Sequence, residues 1–348
     1  MVLCRRISNL FKKQSMQLVF SCRNHYYFKA KPEMMLNNGC VMPPLGFGTW
    51  LVSSEDVHSI KWALNIGYRH IDCASEYENE PEIGKVLRET FSTESIKRED
   101  VFITSKLWID DFCRVEDACK ATLKNLQLKY LNLYLIHMPF EIDKNIKEVS
   151  LNDNVLAYDA KRIQEVWKCM EKLVDDGLVA AIGISNFTTK KVKDLLGSSP
   201  RIKPACNQVE LHPYLPQNQL VELCKKEGIA VVAYSPLSNL GRPDDCREEG
   251  EPSLLSDAVI ASIAKKHKAT RAQILLGWHI KRGTGVLVRS ISKERIKENF
   301  ESLQINLDDE DMVKIGLITT RFRYNKQSWI LKEGQTADKD FWDGEMLG

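Results

Sequence analysis

Two kinds of apolar pattern alternate along the chain from residue 36 to about residue 318. Short, mostly apolar runs, rich in β-branched residues or closed by a turn, recur at 45–49, 69–74, 101–107, 131–137, 179–185, 205–211, 230–235 and 286–290. Between them the apolar residues fall at helical spacing, as in Val166, Trp167, Met170, Leu173 and Val174, or Leu220, Val221, Leu223 and Cys224. Eight strands alternating with helices predict a parallel sheet, and a repeat of roughly 30–40 residues suits a βα unit. Eight units in one chain of 348 residues favour a closed (β/α)8 TIM barrel over two doubly wound domains. No composition break or linker divides residues 36–318.

The pattern departs from this repeat in four places. Residues 36–42 read as a small N-terminal β-hairpin with Asn38-Gly39 at its turn. The stretches 140–158 and 239–254 are too long for ordinary connections, and both follow strands, so they are expected on the same rim as long substrate-site loops. The tail 319–348 has weak periodicity but carries Phe322, Tyr324, Trp329, Phe341 and Trp342, aromatics that need something to cover. Residues 34–348 are therefore read as one barrel including this C-terminal loop.

Charge sets residues 1–33 apart. They hold seven Lys and Arg against the single acid Glu33, which leaves the rest of the chain at −4 within a net charge of +2. Leu3, Ile7, Leu10 and Phe11 share one helical face, with most of the cations off it. That is the pattern of a mitochondrial transit peptide, and a disordered extension is the alternative. The near-neutral remainder carries no footprint for nucleic acid or anionic membrane. No apolar run approaches the roughly 18 residues of a membrane span. The ten Cys are scattered singly without a C-x-x-C pair, which fits reduced core residues of an intracellular protein. His58, His70, His212, His267 and His279 show no metal-ligand spacing, so no metal is expected. Asn186-Phe-Thr188 matches a glycosylation sequon, but its place at a strand end sets it aside.

In a barrel the chemistry collects at the C-terminal ends of the strands. The second strand ends in Asp72 with Tyr77 just beyond, the third in Lys106 and the fourth in His137. Singly, Asp72 and Lys106 read as an ion pair, His137 as a core histidine and Tyr77 as a loop tyrosine. Together on successive strand ends they form a proton-donating group. Lys106 is expected to lower the phenol pKa, Asp72 to orient Lys106, and His137 to hydrogen-bond a carbonyl oxygen. Gly46-x-Gly48 is no dinucleotide fingerprint, because Leu51 stands where a third glycine belongs.

The segments 46–50, 72–77, 105–108, 135–139, 183–187, 207–214 and 233–237, in this order, resemble the aldo-keto reductases. The resemblance runs from about Leu36 to the early 320s and implies a monomeric, cytoplasmic, NADPH-dependent carbonyl reductase. It implies Tyr77 as the acid that protonates the carbonyl oxygen, with Asp72, Lys106 and His137 completing the catalytic set. Thr49, Trp50, Asp72, Ser185, Asn186, Gln208 and Tyr234 match the groups around the nicotinamide, and Ser235 and Leu237 the start of the pyrophosphate loop. Arg289, Ser290, Ile291, Ser292, Arg295, Glu298 and Asn299 match the adenosine end, where Arg289 and Arg295 would clamp a 2′-phosphate and favour NADP(H). The alternative for this run is a helix start with a capping serine. Trp50, Tyr77, Trp108, His137 and Met138 match the substrate contacts, for a small-molecule carbonyl compound.

Four departures stand out. Met138 replaces a common Trp, which softens one wall. Glu76 precedes Tyr77 where a smaller or apolar residue is usual; facing the pocket it would disfavour anionic substrates, facing water it would do nothing. Leu51 replaces a common Lys, and Leu240-Gly241 stand where an Asp often closes the pyrophosphate loop, which predicts a looser clamp on the cofactor. Two other functions remain open from sequence: a family member with a binding or regulatory role, and a sugar-metabolising barrel without nicotinamide.

Overall fold

The protein is described from a computed structural model that covers residues 33–93, 95–142, 155–238, 241–243 and 247–348. The basic extension up to residue 32, the middle of the 140–158 loop, Leu240 and Cys246 lie outside the described residues.

Two short strands, β1 (Met34–Met35) and β2 (Val41–Met42), pair antiparallel around a turn in which Gly39 has φ +84°. Eight parallel strands then close a barrel: β3 (Leu45–Gly48), β4 (His70–Asp72), β5 (Phe102–Leu107), β6 (Leu133–Ile136), β7 (Ile182–Ser185), β8 (Cys206–Glu210), β9 (Ala230–Tyr234) and β10 (Gly285–Val288). They follow one another in order, and β10 closes on β3 through the pair Val286 and Leu45. Strands such as β6, Leu-Tyr-Leu-Ile, are buried on both faces because the barrel interior lies on one side and helices on the other.

Helices α1 (His58–Ile66), α2 (Glu80–Ser92), α3 (Val115–Asn125), α4 (Ala160–Asp175), α5 (Thr189–Gly197), α6 (Asn218–Glu227), α7 (Ala258–His267), α8 (Arg271–Arg282), α9 (Lys293–Glu301) and α10 (Asp309–Gly316) are found among the described residues. The helix α4 shows why they pack there. Its apolar residues Ile163, Val166, Trp167, Met170 and Leu173 are buried, and Asp159 caps its first turn. At Gly84 in α2 a Cβ would lie 2.2 Å from the Asn125 carbonyl oxygen at the end of α3, so only glycine allows the two helices this approach.

Beside a cluster in which Phe140, Ile330, Phe341 and Trp342 of loop and tail pack together, the core of the barrel has two parts. The larger lies between the strands and the helices. The smaller fills the barrel from its N-terminal end, where Leu36 and Met42 of the hairpin pack against Phe102, Leu135, Ala205 and Leu287. The hairpin therefore plugs the bottom, and the open end is the one where the strands terminate in polar residues.

Candidate active site

Four of those strand-end groups meet. The Lys106 side chain is fully buried and its Nζ donates to Asp72 Oδ1 at 2.6 Å, to the Cys73 carbonyl at 2.9 Å and to the Tyr77 hydroxyl at 3.2 Å. Gln208 Nε2 donates to the other Asp72 oxygen at 2.7 Å. Thr49 holds the strand end itself, its hydroxyl donating to the Asp72 carbonyl at 2.8 Å. Tyr77 closes a 3₁₀ turn, Ser75–Tyr77, that ends with Glu78 at φ 54°. Its ring meets the His137 ring edge-on at 5.8 Å, and Trp108 meets the other side of His137 at 5.0 Å.

Burial sets the charge states. It pulls Lys106 down, but Asp72 and then Tyr77 outweigh it and hold the ammonium above its usual range. Burial also pushes the Tyr77 phenol up, and Lys106 offsets this only in part. The expected lowering by Lys106 is thus real as one influence, but the net shift runs the other way, because the phenolate would lose its water. The phenol is accordingly protonated at neutral pH, as an acid must be. Burial, with Lys106 nearby, holds His137 well below its ordinary value and keeps it neutral. Its Nδ1 is buried and has no hydrogen-bond partner among the described residues.

A cleft of about 1240 Å³ runs from this group across the barrel mouth. It takes in every residue expected at the site except the fully buried Lys106, from Trp50, Trp108 and Met138 to Ile291, Ser292, Arg295, Glu298 and Asn299, with Tyr234, Ser235 and Leu237 also on its wall. Asn186 is buried at φ 63°, with its Oδ1 accepting from the Tyr234 hydroxyl at 2.6 Å. Asn186 Nδ2 donates to the Met138 sulfur at 3.1 Å, so the methionine is tethered rather than a free wall. Ser185 donates to the Gln208 carbonyl at 2.8 Å. At the far end Ser292 caps α9, accepting from the Arg295 amide, so the capping role read from sequence and the place in the cleft hold together. Arg289 donates to the Leu51 carbonyl at 2.6 Å, and one of its nitrogens lies 2.7 Å from where a Cβ on Gly241 would be. It bridges the two positions where the usual Lys and Asp are missing.

Residues 44–318 match the model of the Aldo/keto reductase family. The chain belongs to the aldo/keto reductase family. It is 41% identical over 312 residues to an aldo/keto reductase of Synechocystis, a match covering 88% of this chain and 95% of that protein. It is 41% identical to aldo-keto reductase family 1 member A1-A of Danio rerio over 88% of this chain and 94% of the relative. The human family 1 member A1 is 40% identical, over 84% and 90%. This aldo/keto reductase is thus an oxidoreductase of carbonyl compounds in a family that uses a nicotinamide cofactor. No described helix is long and apolar enough to cross a membrane.

Sequence reasoning missed how this reductase holds its tail over the cleft. Asn325 through Trp329 line the cleft, and Trp329 stacks on Trp108 at 6.1 Å with 19° between the rings. The buried Glu210 carboxylate accepts from the Tyr324 and Asn325 amides at 2.6 and 2.7 Å and fixes the start of the tail. Its far end is gripped by α5: Lys191 Nζ donates to Asp343 and to the Phe341 carbonyl, and the Thr189 amide donates to Glu345. Arg271, also on the cleft wall, was missed too. An aromatic-rich tail was the only signal in the sequence; the partners on the barrel side carry none.

Proposed function

We propose that the protein reduces aldehydes and ketones to alcohols at the expense of NADPH, with Tyr77 as general acid. The observation that carries this is the chain from buried Asp72 and Lys106 to half-buried Tyr77, opening into a cleft beside neutral His137. The cleft also fits the cofactor. Hydrogen-bonding groups of Ser185, Asn186 and Gln208 lie at one end for a carboxamide, and Arg271, Arg289 and Arg295 line the other for a 2′-phosphate. The reduced nicotinamide, bound there, would supply the hydride. The chain's own residues do the rest. Tyr77 gives its proton to the carbonyl oxygen, and Lys106 stabilises the phenolate that remains. Asp72, held by Lys106 and Gln208, keeps that ammonium charged. His137, kept neutral by burial, would donate from Nε2 to orient the carbonyl.

A purely binding or regulatory role would leave this buried Asp, Lys and phenol constellation without use. The basic residues 1–33 bear on location rather than chemistry, and the protein is proposed to act as a cytoplasmic monomer. The test is oxidation of NADPH with 4-nitrobenzaldehyde. The parent is expected to be active, and Tyr77→Phe to lose about 10²–10⁴ in kcat with NADPH binding retained. An inactive parent or a fully active variant contradicts the assignment.

A further inference from the structure

Charges of both signs line the cleft. Arg271, Arg289 and Arg295 stand at one end. At the other, Glu76 lines the cleft one residue before Tyr77, in the same 3₁₀ turn. Asp110, beyond Trp108, and Glu78 are the charged groups that act on Glu76, and both are acids. Among the described residues no cation pairs with any of the three. Lys106 is engaged with Asp72, Lys326 of the tail with Glu248, and Arg114 with Asp111. The two other titratable groups at this end, Tyr77 and His137, are uncharged near neutral pH. A molecule held at Tyr77 therefore meets the negative charge of Glu76, which lines the same cleft from the same turn.

We propose that Glu76 selects substrates by charge, so that the site takes aldehydes bearing a cationic group, such as aminoaldehydes, and turns away those bearing a carboxylate. The proposal rests on the reductase reading in placing the substrate at the Tyr77 end. Glu76 is exposed at the rim, yet protein around its carboxyl, with Asp110 and Glu78 adding like charge, pushes its pKa up to about 7. Selectivity by this group consequently switches on as pH rises through neutrality.

The experiment compares three benzaldehydes substituted at the 4-position with trimethylammonium, nitro or carboxylate. kcat/KM is measured for each with the parent and with Glu76→Gln, at pH 6 and pH 8. Electronic differences among the substituents cancel in the comparison between proteins. An exposed ion pair changes affinity up to about fivefold, and repulsion acts in the opposite direction by a similar factor. The cation-to-anion ratio is therefore expected to be about tenfold lower in the variant at pH 8, and to climb between pH 6 and pH 8 in the parent alone. A ratio unaffected by the substitution and flat with pH overturns the proposal. Calorimetric titration with the three corresponding benzyl alcohols reads the same preference without turnover. Cationic alcohol bound more tightly by the parent than by Glu76→Gln supports the proposal, and equal binding overturns it. Failure to reduce the nitro compound contradicts the reductase reading separately and leaves the calorimetry to decide the charge preference.

Discussion

The C-terminal tail is held by a charge pair that can be broken without touching the cleft. Lys191 is fully buried and Asp343, its partner, is 18% exposed. Burial pulls the Lys191 pKa down even with Asp343 beside it. The carboxylate thus offsets only part of what it costs to bury the ammonium. Replacing Asp343 with Ala leaves that ammonium with the Phe341 carbonyl at 2.6 Å and the faces of Tyr158 and Phe140, 5.0 and 5.6 Å away. Breaking a buried pair from one side costs about 3–5 kcal/mol, and the remaining carbonyl, rings and partial solvation of Asp343 place this case near the lower end. About 3 kcal/mol is a factor of roughly 10² in the ratio of docked to undocked tail. The loss is local, since the tail packs on the finished barrel rather than forming part of its sheet. Hydrogen exchange should accelerate in the tail, and KM for an aromatic aldehyde should rise because Trp329 no longer sits on Trp108. The double variant Lys191→Met with Asp343→Leu removes both charges and should recover most of the protection. Lys190→Ala, which breaks the exposed pair with Asp194, should change little. Unchanged tail exchange in Asp343→Ala, or a double variant no better than the single one, refutes the reasoning.

Three further outcomes are expected. Arg295→Ala should weaken NADPH binding by about tenfold or more while NADH binding changes little, because only the 2′-phosphate calls for the lost guanidinium; tryptophan-fluorescence titration with both cofactors checks this. Gly241→Asp puts a carboxylate against Arg289, which now donates to the Leu51 carbonyl, and should slow cofactor release in stopped-flow displacement. Glu76 has a folded-state pKa of about 7, raised from its usual carboxyl value. Its contribution to stability is present in acid and is lost as pH rises through 7. Glu76→Gln should therefore match the parent in Tm near pH 4 and exceed it at pH 8 by calorimetry.

The strands were legible because burial on both faces leaves them as unbroken apolar runs. The fourth, read over 131–137, is observed at Leu133–Ile136, and only its ends differ. Asp72, Lys106 and His137 were legible because polar residues that finish such runs have nowhere to point but the barrel mouth. The Lys191–Asp343 pair was not. Lys191 lies in Thr-Lys-Lys-Val-Lys, where each lysine reads as a solvated helix residue. Which one is buried is decided by a partner 152 residues away. The net direction of the Tyr77 shift was hidden for a related reason: the sequence shows the charge beside the phenol but not the water it has lost.

The Asp72–Lys106–Tyr77 chain and the floor of the cleft are one network rather than two adjoining sites. Asp72 gives one carboxylate oxygen to Lys106 and the other to Gln208, and the Gln208 carbonyl accepts from Ser185. On the other side of the cleft floor, Asn186 joins the His137 carbonyl, the Met138 sulfur and the Tyr234 hydroxyl. A group settling against Ser185, Asn186 and Gln208 must press on the hydrogen bonds that orient Lys106 and His137. In the proposed reaction, the position of the cofactor ring and the readiness of Tyr77 would be coupled through these side chains. A barrel achieves this because neighbouring strand ends are fixed in register, as Gln208 is to Ser185 across β7 and β8. The tail, by contrast, meets this network through rings, with Trp329 stacking on Trp108 and Trp108 meeting His137 edge-on. The tail thus bears on which carbonyl compound is admitted, while in the proposed reaction the protonation of its oxygen falls to the strand ends.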